Sequence, residues 1–482
     1  MQTRRDLYQA YKLMTQRLGM ALLQGEPDLP ESPMRRQNVA MFGGVLVAVL
    51  VAAVFGVLGL LRPGNATALT DPGTVIVEEE TGATFVYSDP QKKMIPVVNV
   101  TSARLLLGEQ EVKVRTVTAA SIAKYTRGTL VGIQGAPESL PAHDRLVRTP
   151  WSVCVTEGVE TNGERRPYTS LIGGFGVGGN PIEQGTAMVV AEGGQAWLLW
   201  ADRRMRVPAK GVRALTQGQP RQVPAAWLNG VPIGPDFQSP SIPGLGGRTR
   251  GPDGKWSAVG RVFTVPAVTG GPAKWYVLLA DGLADLTPTQ ATLLLADPVI
   301  KKAYGQAEPL PKPLAPATAN GMRQSGTRLD GSGLPTTMPK IIPPSPTSPL
   351  CAVYSDTERG STRAALTVGS TAPLPQPPKG WFNQSTVDQV TLSPGSGALV
   401  GTLPGNGRTD SVTSLYLIGD QGRRHAILSA NVLPSLGYSS EDIAPLPAQL
   451  VHLIPEGPTL DPAAARNPVQ ANPSAAVSPQ QR

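Results

Sequence analysis

The apolar residues of this chain fall into three patterns. Between Val39 and Leu61 they run unbroken by any charge, as VAMFGGVLVAVLVAAVFGVLGLL. At 1.5 Å rise per residue such a run makes a helix of about 34 Å, enough to cross a hydrocarbon core of about 30 Å. Being apolar on all sides, it does not suit the surface of a soluble protein. Ahead of it, Leu7, Tyr11, Met14, Leu18 and Leu22 recur at helical spacing, with Arg4, Lys12 and Arg17 elsewhere on the helix. That stripe predicts an amphipathic leader helix of about five turns, either lying on an anionic inner leaflet or docked on a cytoplasmic partner. Beyond residue 62 the apolar residues come as short strands broken by turn residues.

Basic residues flank the apolar run. Arg4, Arg5, Lys12, Arg17, Arg35 and Arg36 precede it, and Arg62-Pro63 ends it. The positive-inside rule then places residues 1–38 in the cytoplasm, 39–61 in the membrane and 62–482 outside. The rival is a cleaved signal peptide, for which Ala66-Thr67-Ala68 offers a small-residue site. The apolar run is longer than the usual segment of about 7–15 residues and sits behind a long leader, which argues against it.

The strand region repeats itself. Phe85-Val86-Tyr87-Ser88-Asp89, Trp197-Leu198-Leu199-Trp200-Ala201-Asp202, Trp275-Tyr276-Val277-Leu278-Leu279-Ala280-Asp281 and Leu415-Tyr416-Leu417-Ile418-Gly419-Asp420 each run into an Asp, a turn and a second short strand. Aromatic and β-branched residues suit the pleat and Asp suits the turn. A helical pattern follows each, at Asn99–Leu107, Lys210–Leu215, Pro288–Leu295 and Ser429–Leu436. The expected unit is therefore strand–turn–strand–helix, used four times. Its Asp residues, Asp89, Asp202, Asp281 and Asp420, read as turn-formers rather than catalytic carboxylates, because they recur. The second and fourth units also share a close: Val231-Pro232-Ile233-Gly234-Pro235-Asp236-Phe237 matches Ile454-Pro455-Glu456-Gly457-Pro458-Thr459-Leu460. Units 1–2 and 3–4 are then two halves of a pseudo-repeat.

Composition agrees with short strands. Gly 53 and Pro 49 make up about a fifth of the 482 residues, against roughly 12% in ordinary proteins. Both are costly inside helices, which argues against a helix-rich enzyme core. Lys+Arg 43 against Asp+Glu 35 gives a net charge of +8, mild for this length and no sign of a nucleic-acid partner. The two cysteines, Cys154 and Cys351, lie on the expected outer side. An even count in an oxidising compartment reads as a disulfide, with two free thiols as the alternative. A bond would bring the segments between units 1 and 2 and between units 3 and 4 into one central body, with strands at Trp151–Thr156, Trp256–Val265 and Leu350–Tyr354.

The expected fold is thus α+β and β-rich, with a single N-terminal transmembrane helix and an elongated periplasmic ectodomain of four repeats around a disulfide-closed central domain. The repeats occupy about 82–145, 195–240, 273–307 and 412–460, and the central domain 146–194, 241–272 and 350–411. A Pro-rich loop covers 308–349, a disordered tail 461–482, and the whole ectodomain 62–460. Repeats are expected to radiate from the bridged centre.

Catalytic motifs are scarce. Gly174-Phe175-Gly176-Val177-Gly178-Gly179 matches G-x-G-x-x-G in form only, since Pro181 interrupts the helix that should follow. No G-x-x-x-x-G-K-[ST], G-x-S-x-G or H-E-x-x-H occurs. With His143, His425 and His452 as the only histidines, no metal site is expected. His143-Asp144 reads as a surface pair and His452 as partly buried.

These features together resemble EccB, the single-pass membrane subunit of the ESX (type VII) secretion system of actinobacteria. The residues concerned are the basic leader, the helix ending Leu60-Leu61-Arg62-Pro63, Trp151-Ser152-Val153-Cys154, Cys351-Ala352-Val353-Tyr354, the Asp turns and Ile454-Pro455-Glu456-Gly457-Pro458. The leader departs from mycobacterial members. The resemblance implies four repeats around a central domain closed by a disulfide. It implies a structural core component of an inner-membrane secretion machine, beside EccC-, EccD- and EccE-like subunits, EccC being the motor ATPase. Ectodomains self-associate above the membrane as the periplasmic part of the channel, where a mycosin protease docks. Family members are often labelled ATPases, yet this chain has no Walker A motif. A nucleotide hydrolase would need Arg203, Arg204 and Arg206, or Arg423 and Arg424, as an anion cradle. ATP is the cofactor of that alternative alone, and a membrane-anchored cell-wall-binding module is the third reading.

Overall fold

The computed structural model describes residues 3–25, 35–61, 68–160, 162–208, 215, 219–267, 271–329, 333–343, 345, 347–375 and 385–469. Arg62, most of the expected helix at 210–215 and the tail from 470 lie outside them. The leader is an α-helix, Arg4–Gln24. The Asp6 carboxylate accepts the backbone N–H and hydroxyl of Thr3, at 3.0 and 2.6 Å, to cap its start. Gly25, at φ 73°, ends it. A second helix, Arg35–Leu61, carries the apolar run.

Four of the sheets share one strand order, a three-stranded antiparallel meander with a fourth strand parallel to the first. The first sheet is built from Thr74–Glu78, Thr84–Ser88, Lys93–Val97 and Lys113–Val117. The second uses Thr186–Glu192, Gln195–Trp200, Arg203–Val207 and Arg221–Gln222. The third uses Val262–Val265, Lys274–Leu279, Gly282–Leu286 and Lys312–Pro313. The fourth uses Ala398–Leu403, Leu415–Ile418, Arg424–Ile427 and Ala444–Pro447. Side chains capping helices enter where the chain leaves the meander. Asn99 accepts the Ser102 N–H before Val100–Leu107, and Thr287 and Gln290 form a capping box before Pro288–Ala296. A short helix also follows every fourth strand, at Ala119–Ile122, Ala225–Asn229, Pro316–Gly321 and Ala448–Leu453.

After that helix the chain returns to the third strand and closes its free edge. Met94 donates to Thr126 O and accepts from Gly128 N, both at 2.8 Å. Arg204 does the same with Pro232 and Gly234, Leu283 with Arg323 and Ser325, and Arg424 with Pro455 and Gly457. The unit is thus larger than strand–turn–strand–helix. The expected hairpin is its second and third strands. The first strand, the parallel fourth and the closing segment carry no Asp-turn signature.

The central sheet has six strands in the order Gln389–Thr391, Arg165–Gly173, Trp151–Val159, Leu350–Tyr354, Ala365–Val368, Asn180–Pro181. The order reads the same from both ends: each half contributes two inner strands, and its third crosses to the far edge. The strand joints match as well. Leu146 bridges Gly397 just ahead of the fourth sheet's first strand, and Lys340–Ile341 pairs with Thr186–Ala187 at the start of the second sheet's.

Packing corrects the expectation of repeats radiating from a centre. One apolar core joins the central sheet (Trp151, Leu350, Tyr354) to the second sheet (Val190, Leu199) with its helix residue Trp227, and to the fourth sheet (Val400, Leu446). Burying an aromatic of this size contributes about 2–3 kcal/mol. The first sheet docks on the fourth, where Leu105, Ile133 and Ala136 are buried with Leu433, Leu436 and Leu460. The third docks on the second through Leu293, which packs beside Leu198 and Phe237. Each half therefore places its first unit on the second unit of the other half.

Several boundaries move. Val262–Val265 belongs to the third sheet, and Trp256–Ala258 pairs with Arg248–Arg250 in a separate two-stranded hairpin; neither enters the central sheet. Thr186–Glu192 and Ala398–Leu403 belong to the second and fourth sheets. The Pro-rich stretch 308–349 is stitched into two sheets by Lys312–Pro313 and Lys340–Ile341. The start of the supposed tail folds: Pro462–Ala465 is helical, Ala465 is buried, and Val469 donates to Leu130 O at 2.9 Å.

Candidate functional site

The centre of the molecule is the Cys154–Cys351 disulfide. The two cysteines stand directly opposite each other in the antiparallel pair of inner strands, with Cα atoms 4.1 Å apart. Both are fully buried with Ile172 and Val177. The glycine-rich loop 174–179 folds over this bond. Gly178 and Gly179 have φ of 68° and 97°, and a Cβ on Gly179 would strike the carbonyl of Gly369. The loop is thus a packing element and no phosphate cradle.

All four Asp residues lie in the turn between second and third strands. Asp89 pairs with Lys92 at 2.5 Å. Asp202 accepts from Arg203 Nε at 2.7 Å and faces Arg363 at 3.6 Å. Asp281 accepts from Ser325 Oγ and Gly326 N, at 2.7 and 3.0 Å, and these bonds hold its carboxyl below the usual range. Asp420 completes the set as a turn residue. The left-handed positions of these turns are not the Asp residues but Lys92, Ala201, Gly282 and Gly422.

The arginines named as an anion cradle each contact the protein, although Arg204 Nε is buried with no acceptor among the described residues. Arg204 stacks 4.9 Å from the Trp197 ring, and its Nη1 donates to Asn229. Arg206 donates to Gln195 Oε1 at 3.1 Å. Arg424 stacks 5.2 Å from Tyr416, donates to Ile454 O and pairs with Glu456, whose carbonyl takes Arg423. Among the described residues no group of three or more His, Cys, Asp or Glu is placed to hold a metal. His143 pairs with Asp442 at 2.7 Å rather than with Asp144. His452 is exposed, not partly buried. His425, by contrast, is buried, its Nδ1 3.0 Å from Pro458 O, and burial lowers its pKa.

A cavity of about 690 Å³ opens beside the fourth sheet, between Arg148, Glu358, Ser414, Leu415 and Ser440. Arg148 and Glu358 pair across it at 2.8 Å, so its charges are matched. Sequence reasoning does not find this place, because its lining comes from five separate segments.

Of the membrane-flanking residues, Arg35 and Arg36 open the second helix. Its Gln37–Val57 stretch, with none of its apolar window buried in the protein, is one candidate membrane span. In the leader, Leu7, Tyr11, Met14, Leu18 and Leu22 are all exposed.

One candidate membrane helix followed by a strand-rich, disulfide-closed body is the class of chain that the fold defines. The family model for the type VII secretion system ESX-1 transport membrane domain B, EccB, matches residues 1–473, and the chain belongs to that family. It is 26% identical to the ESX-3 secretion system ATPase EccB3 of Mycolicibacterium smegmatis, over 97% of this chain and 91% of that one. It also resembles a chain of an intact ESX-5 inner membrane complex, at 24% identity and TM-score 0.64, covering 100% of this chain and 98% of that chain. A chain of the periplasmic assembly from the ESX-5 inner membrane complex aligns at 25% identity and TM-score 0.60, over 84% and 99%.

Proposed function

We propose that the chain is a structural core component of the type VII secretion machine in the inner membrane, its ectodomain helping to build the periplasmic part of the export channel. The observation that carries this is the extent of the match. The whole chain, leader and membrane helix included, aligns with a subunit of an assembled inner-membrane complex. The buried centre suits the role: a disulfide between two paired inner strands and a core shared by three sheets make a rigid frame. In this reading the leader is cytoplasmic and the bulk periplasmic. The EccC-, EccD- and EccE-like subunits are neighbours, the exposed leader stripe is one contact surface, ectodomains self-associate, and a mycosin protease docks on them.

Native electrophoresis of the detergent-extracted protein tests it. Co-migration with a motor ATPase in an assembly of many subunits is expected, and a monomer would refute the reading. The word ATPase in a relative's name raises a nucleotide, and the residues here do not fit one. The candidate arginines each contact protein groups, Arg204 through Nη1 and the Trp197 ring, and the glycine-rich loop packs on its neighbour. Purified protein is expected to show no ATP hydrolysis above background.

A further inference from the structure

An edge strand leaves backbone N–H and C=O groups unpaired, and proteins block such edges with proline, charge or a covering segment. In each four-stranded sheet the third-strand edge is closed by the returning chain. The fourth-strand edges are treated unequally. Pro224 lies just past Arg221–Gln222. Lys312–Pro313 contains a proline. Ala444–Pro447 carries Pro445 and Pro447 and lies against the Thr357–Arg359 turn.

Among the described residues, the first sheet's fourth strand has neither proline nor a covering segment, and its charge is confined to Lys113 and Arg115. Lys113–Val117 is five residues long, lacks proline and, among the described residues, pairs only with Thr74–Glu78. Its inner bonds fix which residues face which way. Lys113 N donates to Gly73 O at 2.8 Å, and Val117 O accepts from Glu79 N at 2.9 Å. Alternate residues of a parallel strand face the same neighbour, so Lys113, Arg115 and Val117 turn inward. Val114 and Thr116 then point their N–H and C=O groups outward, and both residues are exposed. Two cations alternate with them. Neither Lys113 nor Arg115 has an ion pair among the described residues, and Arg115 Nε is buried with no acceptor there.

We propose that the outer edge of Lys113–Val117 takes up an extended segment of another protein chain as a fifth strand, with two carboxylates spaced two residues apart facing Lys113 and Arg115. The outward ladder accepts only extended backbone, and charge selects among extended segments. A second copy of the same strand is disfavoured. Full antiparallel overlap centred on residue 114 or 115 sets Lys113 or Arg115 against Arg115 of the second copy, and like charges directly opposite repel. Glu109 and Glu111, exposed just ahead of the strand, repel a segment that is acidic throughout, so the selected charge is local.

The test titrates the full chain in detergent with a fluorescent peptide, Thr-Val-Glu-Val-Glu-Val-Thr, and with its counterpart carrying Lys for both Glu. Anisotropy is expected to show the acidic peptide binding at least about tenfold tighter. Thr116→Pro removes an outward N–H and leaves the inner ladder intact, so it is expected to weaken that binding about tenfold or more. Thr116→Ala keeps the N–H and is expected to bind as wild type. Lys113→Glu with Arg115→Glu is expected to reverse the preference, and it decides the matter should Thr116→Pro fail to fold. Equal binding by a folded Thr116→Pro variant, an unchanged preference after charge reversal, or no binding by wild type would overturn the proposal. So would a self-associated species that Thr116→Pro dissociates while neither peptide binds, since that puts a second copy on the edge.

Discussion

The imidazole of His425 fills the space into which a Cβ on Gly457 would project. One residue lies on the third strand of the fourth sheet and the other in the segment that closes it. They meet because the closing backbone runs flush along the strand, held by Arg424 N to Pro455 O and Gly457 N to Arg424 O, both at 2.9 Å.

That contact makes Gly457→Ala costly. A methyl group driven into a buried ring on paired backbone is expected to destabilise by about 2–3 kcal/mol. Gly234 holds the same place in the second unit, but its Cβ would meet the Arg203 side chain, 2.7 Å from Cδ, which can swing aside. Gly234→Ala is expected to cost less than about 1 kcal/mol. Urea unfolding of the two variants, followed by tryptophan fluorescence, compares them.

His425 also sets a pH dependence. Burial, with Arg423 nearby, lowers its pKa, and the bond to Pro458 O offsets only part. The folded chain therefore resists a proton that the unfolded chain accepts near pH 6.5. Its contribution to stability is full above that value and falls as the pH drops below it. Melting temperatures measured between pH 8 and pH 5 (about three units spanning the unfolded pKa) are expected to decline on the acid side. His425→Gln should flatten that decline. Equal slopes in the two proteins would assign the effect to other groups.

Cys154 and Cys351 close a loop of about half the strand-rich body, over a sequence separation of 197. Chain entropy sets an upper figure of about 5 kcal/mol for a loop this long. Replacing both cysteines by Ala is expected to remove most of that stability while the six-stranded order survives, because Leu350–Tyr354 remains paired on both sides. Denaturation midpoints with and without reductant check this, and the double variant should be indifferent to reductant.

Tyr354 ties the centre to two units. Its hydroxyl donates to Gly230 O at 2.6 Å and accepts from Gln449 Nε2 at 3.4 Å. Tyr354→Phe strands a buried carbonyl and is expected to cost about 1–2 kcal/mol. Hydrogen exchange should quicken around Ala225–Val231 and leave the first sheet unchanged. Uniform quickening would mean a global rather than a local loss.

The parts of this fold legible in the sequence are those that side chains impose. Trp197, Tyr276 and Tyr416 mark second strands because aromatics favour the pleat, and Asp202 and Asp420 mark the turns after them. Cys154 and Cys351 marked the centre. First strands such as Thr186–Glu192 were hidden because they lie mid-sheet and read as plain apolar runs. The closing segments of the first and third units were hidden for another reason. Thr126–Gly128 and Arg323–Ser325 bond through backbone alone, which leaves no residue signature. Only the second and fourth units add the shared Pro-x-Gly-Pro string, at Pro232–Pro235 and Pro455–Pro458, that makes the same architecture a motif. The open edge at Val114 and Thr116 is invisible in sequence for the same reason.

The exchange of units between halves has a consequence for synthesis. Ribosomes make the first sheet soon after the membrane helix, yet Leu105 and Ile133 are buried in a cluster completed by Leu433, Leu436 and Leu460. A nascent or truncated chain therefore holds a bare apolar surface close to its anchor until the last unit emerges. Completeness of the polypeptide is thus registered at the end where it began, and a copy cut short before residue 433 is expected to be more open to proteolysis around Leu105 and Ile133.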